Sequence, residues 1–93
     1  TMQLTTLYTT ITERLPNLSE EAREIIITKI ADRLYQKLVG ELEPEKQESL
    51  DVLISDGLTD TELIDYFQSM PHFNELLQSV TDEIISNYTQ NPA

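Results

Sequence analysis

The sequence predicts an all-α protein, a single compact bundle of about five short helices in orthogonal or irregular packing. Three observations carry that expectation. Apolar residues recur at helical spacing along most of the chain, and the interruptions fall at proline, glycine or helix-capping residues. No segment alternates apolar and polar residues between turn signals, as a strand would. At 93 residues the chain has the length of one domain, residues 1–93, and can bury a core without staples. It has no cysteine, which removes disulfides, thiolate metal sites and cysteine nucleophiles together.

A first helix is expected over residues 2–15, where Leu4, Leu7, Tyr8, Ile11 and Leu15 share a face. Its threonines are β-branched and weak helix formers, so packing has to hold it. Pro16 and Asn17 end it. Ser19 is a good N-cap for a second helix, 20–41, with Glu20 and Glu21 placed where negative charge suits the helix dipole. Ile27, Ala31, Leu34, Tyr35, Leu38 and Leu42 form its broad apolar face. Lys29, Arg33 and Lys37 fall opposite as an i, i+4, i+8 ladder, and Ile25 and Ile26 lie outside the main stripe. The start of this helix is thus central to the core or lends part of itself to an interface.

Gly40 and Pro44 bracket the passage into a third helix, 44–56, with inner face Leu50, Leu53 and Ile54 and with Val52 at its margin. Gly57 suits the left-handed position after a helix. Thr59 and Glu62 have capping-box spacing, and Leu58 and Leu63 that of a hydrophobic staple, so GLTDTEL reads as a stop followed at once by a start. A fourth helix, 60–69, carries Leu63, Ile64, Phe67 and Met70 as far as Pro71. Phe73, Leu76, Leu77, Val80, Ile84 and Tyr88 define a fifth, 72–88, and TQNPA is expected as a polar tail.

The formal net charge is −11, from 17 acidic and 6 basic residues, which argues against direct binding to nucleic acid or an anionic membrane. The charge is polarised. Arg14, Arg23, Lys29, Arg33, Lys37 and Lys46 all lie in the first half, whereas from Gln47 onward come Glu48, Asp51, Asp56, Asp60, Glu62, Asp65, Glu75, Asp82 and Glu83. With no apolar run longer than Ile25 to Ile27 and no basic leader before an apolar stretch, no membrane span or signal peptide is expected, and the location expected is cytoplasmic.

Chemistry-bearing patterns are few. Placing Gly57 at the sixth position of a calcium loop puts Val52 first and Leu63 last, where oxygen ligands belong. His72 is the one histidine, beside Pro71, with Glu75 as a local partner, and the two glycines form no phosphate cradle. Nothing selects a nucleophile and base. The expectation is a non-enzymatic chain with no catalytic residue, metal or cofactor.

What remains is interaction. Lys29, Arg33 and Lys37 read either as a solvated face partly neutralised by Asp32 or as a docking stripe for an acidic partner, including the acidic half of a second copy in a homodimer. Glu48, Asp51, Asp60 and Asp65 are the candidate acidic contacts. The leading expectation is a small protein–protein interaction module. The alternative is an acidic inhibitor or nucleic-acid mimic that occupies a basic groove on a DNA- or RNA-binding protein.

The segment LSEEAREIIITKIADRLYQKLVGELEPEKQESLDVLISDG, joined to LIDYFQSMPHFNELLQSVTDEI, resembles a family of small acidic helical bacterial proteins known only as domains of unknown function. The shared pattern is a Leu/Ile-rich helix, a Pro-Glu turn, an acidic helix and a helix ending in a Pro-x-Phe junction, here Pro71-His72-Phe73, over about residues 18–85. That resemblance implies a bacterial interaction module and brings no activity, cofactor or catalytic residue with it.

Overall fold

The structure, a computed structural model, describes residues 2–90, and the side chains of residues 7–88. It is an all-α bundle. The helices are α1 (Met2–Arg14), α2 (Glu20–Leu38), α3 (Pro44–Ser55), α4 (Asp60–Tyr66) and α5 (Phe73–Gln90), with single 3-10 turns at Val39–Glu41 and Phe67–Ser69. The second and fourth helices therefore stop short of the expected residues 41 and 69 as α-helix and tighten into 3-10 turns. The fifth begins at Phe73 and continues through Thr89 and Gln90, which were expected in the tail; residues 91–93 lie outside the described residues.

The boundaries follow the local chemistry. Ser19 Oγ accepts from the Ala22 N–H at 3.2 Å and starts α2. At the end of α3 the Gly57 N–H donates to the Ile54 carbonyl at 3.1 Å and the Leu58 N–H to Leu53 at 3.0 Å, the pair of bonds of a Schellman motif. Gly57 sits at φ 104°, which a side chain would strain. The next helix starts two residues later: the Glu62 N–H donates to Thr59 Oγ1 at 3.2 Å, and the Thr59 N–H to Glu62 Oε1 at 3.0 Å. His72, at φ 60°, takes the left-handed conformation at the turn into α5, a strained position for a non-glycine residue.

The Thr59 backbone N–H, and then its hydroxyl, stabilise the Glu62 carboxylate and lower its pKa below the usual 4.5. A group whose pKa falls on folding contributes stability above its unfolded pKa and loses it as pH drops through the folded one. The stability difference between the wild type and Glu62→Gln, measured by urea unfolding, is therefore expected to be larger at about pH 7 than at about pH 3. An equal difference at both would show that the carboxylate's charge is immaterial to the cap.

Packing centres on α2, which lies against both α4 and α5, and α1 closes over α4 and α5. The core contains Leu7 and Ile11 from α1, Ile26, Ile27, Ile30, Ala31, Leu34 and Leu38 from α2, Leu63, Ile64 and Phe67, and Phe73, Leu77, Val80 and Ile85 from α5. Some expected faces are rotated. Ile26 is fully buried, because α2 is covered by α4 and α5 together and needs an apolar arc wider than one stripe. Tyr8 and Tyr88, expected inward, are exposed at the margins, where a phenol can keep its hydroxyl in water. In α5 the buried line runs through Ile85, while Ile84 is only half-buried. Leu4 lies outside the described side chains.

Thr81 is buried on α5, and its Oγ1 has no hydrogen-bond partner among the described residues. A buried hydroxyl left unpaired costs about 1–3 kcal/mol, and an apolar group of similar shape avoids that cost. Thr81→Val is accordingly expected to stabilise the fold by about 1 kcal/mol in denaturant titration. Destabilisation would show that the hydroxyl is hydrogen-bonded in solution.

The third helix departs furthest from expectation. Of its inner face only Leu50 is buried; Leu53 and Ile54 remain 42% and 39% exposed, and Val52 is 59% exposed. The helix follows α2 through a short turn and is linked to it by the Tyr35 hydroxyl, which donates to Asp51 at 2.8 Å. Among the described residues, its last turn is not covered as α2 is covered by α4 and α5.

Candidate functional site

The basic ladder is built on one long helix, so Lys29, Arg33 and Lys37 do follow one another along α2. Arg33 is already engaged. Its Nε donates to Glu83 Oε1 at 3.1 Å, its Nη2 approaches Glu83 Oε2 at 3.5 Å, and its Nη1 donates to Gln36 at 3.4 Å. Both partners are half-exposed, so this two-pronged pair between α2 and α5 adds about 0.2–1 kcal/mol at most. Arg14 forms a second such pair with Asp82, joining α1 to α5. Part of the charge polarity is thus internal: cations of the first half hold carboxylates of α5. Lys29 and Lys37 are exposed, one turn to either side of the engaged arginine.

The acidic candidates divide in the same way. Asp51 on α3 accepts from Tyr35, and Asp60 at the first turn of α4 accepts from Thr28 Oγ1 at 2.6 Å. Thr28 and Tyr35 are seven residues apart, on one face of α2, so these two aspartates pin α3 and α4 to the same side of the central helix. The hydrogen bond to Asp51, then desolvation and the carboxylate's charge, raise the Tyr35 pKa above its ordinary value of 10.0. Glu48 is exposed on α3, and Asp65 is half-buried on α4. The ladder and the four acidic residues do not make one site.

His72 Nδ1 lies 3.7 Å from Glu75 Oε2, both widely exposed. Among the described residues no group of three or more His, Asp or Glu side chains is placed to hold a metal ion, and no helix is long and apolar enough to cross a membrane. A shallow cleft of about 280 Å³ lies at the α1–α2 corner, lined by Arg14, Leu15, Pro16, Asn17, Leu18 and Tyr88. Its one cation, Arg14, is paired with Asp82, and the other polar side chains of its lining are those of Asn17 and Tyr88.

The most distinctive surface is apolar. Val52, Leu53 and Ile54 form a run of three consecutive exposed apolar residues at the end of α3, and a further residue, Ile25 on α2, is 57% exposed. Single exposed apolar side chains are ordinary, whereas a consecutive run calls for an explanation in function. The signal was present in the sequence: at 100° per residue, three successive residues span an arc that one neighbouring helix cannot cover.

No family model, curated protein or solved structure matches this chain.

Proposed function

We propose that the chain is a small, non-enzymatic helical module that binds another protein, or a second copy of itself, and works in the bacterial cytoplasm. The observation that carries this reading is the run Val52-Leu53-Ile54, exposed on a helix whose one buried side chain is Leu50. A contiguous run of apolar surface left in water, unlike the isolated exposed Ile25, supports a protein-binding face. The polarised charge supports the same reading, since complementary charge speeds encounter and selects partners. The resemblance to small acidic bacterial proteins is consistent with it.

A second reading, an acidic mimic that fills a basic groove on a nucleic-acid-binding protein, draws on the absence of Lys and Arg after Lys46. It needs carboxylates arrayed toward a partner, and here Asp51, Asp60, Glu62, Asp82 and Glu83 each hold an internal contact. Two measurements separate these readings. Light scattering at low and high salt reports self-association, and affinity capture from bacterial lysate, with and without competing DNA, reports other partners. A salt-sensitive dimer, or a stoichiometric partner retained in the presence of DNA, supports the module. Partners released only by DNA transfer the chain to the mimic reading, and a monomer that retains nothing overturns both.

A further inference from the structure

We infer that the C-terminal turn of α3 is the docking face and that its occupant is a basic amphipathic helix of a different protein. The inference rests on the interaction-module reading and names the surface and the partner chemistry. Leu50, Leu53 and Ile54 lie within about 100° of arc, so they form one stripe; the fold covers it at Leu50 and leaves its other end open. Val52, on the far side, widens the apolar surface around the helix end.

The chemistry of the occupant follows from what surrounds that stripe. Glu48 lies one turn before Val52 and Asp56 three residues after Leu53, and Asp51, which is exposed but also accepts from Tyr35, lies three residues before Ile54. The negative end of the α3 dipole lies at the same place. Lys46, nearly two turns earlier, is the one cation on the helix. An apolar strip with an acidic rim is complementary to a helix that carries leucine-like residues on one face and Lys or Arg on its flanks. A helix is the suitable form because the described chain is all-α and offers no strand edge to extend, so contact must come from side chains laid ridge into groove.

A second copy suits the face less well. A two-fold contact sets the same patch against itself, so Glu48, Asp51 and Asp56 would oppose their own equivalents. A head-to-tail contact on the α2 ladder would have Lys29 and Lys37 to draw on, since the middle residue Arg33 is held by Glu83.

The test is calorimetric titration of the full chain with a synthetic 18-residue Leu/Lys amphipathic helix, beside a Leu/Glu peptide of the same pattern and a scrambled Leu/Lys peptide. Amide chemical shifts of the wild-type chain map the contact without any substitution. The expected result is binding of the helical Leu/Lys peptide alone, with shifts confined to α3 and its surroundings and affinity weakened by added salt. Leu53→Asp and, separately, Asp56→Lys should each weaken it about tenfold or more, while Ile25→Gln leaves it unchanged. Absence of binding overturns the proposal, as does equal binding of the scrambled peptide. Shifts centred on α2 move the face elsewhere and leave the module reading standing. A dimer of the free chain abolished by Leu53→Asp gives the face to a second copy and overturns the basic-helix occupant. Failure of the peptide together with failure of lysate capture removes the module reading itself.

Discussion

Phe67→Ala is expected to cost the fold about 3–5 kcal/mol, among the largest losses a single truncation produces. Phe67 is fully buried in the 3-10 turn after α4, and its ring meets Tyr66 edge-on, with centroids 5.5 Å apart and planes at 89°. The turn is short and is tied into the body from both sides, so it cannot collapse into the space the ring leaves. A domain of this size has a total stability on the order of 5–15 kcal/mol, which makes the variant marginal. Thermal unfolding followed by circular dichroism should show the midpoint falling by roughly 15–30 °C. A fall of only a few degrees would mean that the α4–α5 corner is loosely packed.

Leu50→Ala is expected to act differently, although the chemistry of the change is similar. Truncating a buried leucine costs about 2–5 kcal/mol, but Leu50 is the sole buried residue of α3. Once its contact weakens, α3 can detach while α2, α4 and α5 stay packed, so the global loss is capped at the free energy that docks α3. The effect should therefore appear as local opening. In native-state hydrogen exchange the α3 amides should exchange at least about 30-fold faster, with much smaller changes in α2 and α5. Uniform acceleration across all helices would show α3 to be an integral part of the cooperative core.

The two variants also show what was legible in the sequence. Some helix ends were, where chemistry within a few residues sets them: Ser19, the Gly57 turn and the Thr59–Glu62 box act as their spacing implies, whereas the C-terminal ends of α2, α4 and α5, which carry no such signal, fell elsewhere. The inward faces of α2 and α4 were legible in outline, since apolar periodicity reports that a face is buried. Periodicity does not report what covers it. Ile26 was underrated because two helices cover α2, and Leu53 and Ile54 were overrated because none of the described helices buries the end of α3. The ladder and the acidic residues were legible as charges, but not as pairs. Arg33 with Glu83 and Arg14 with Asp82 join residues far apart in the chain, and local spacing carries no information about such contacts. The open face was half legible: the run Val52-Leu53-Ile54 spans an arc too wide for one neighbour, but which part of it stays open depends on where the other helices go.

That open face is the centre of the functional account, and amide exchange of the free chain against the chain with the basic amphipathic peptide probes it most directly. A partner that binds the docked form of α3 slows its opening by the binding linkage, roughly a hundredfold when free peptide stands at 100 times its dissociation constant. Protection is expected to rise in α3 and to change little in α5. Unchanged exchange in α3 at saturating peptide, or protection rising equally in every helix, would contradict a docking face at Val52, Leu53 and Ile54.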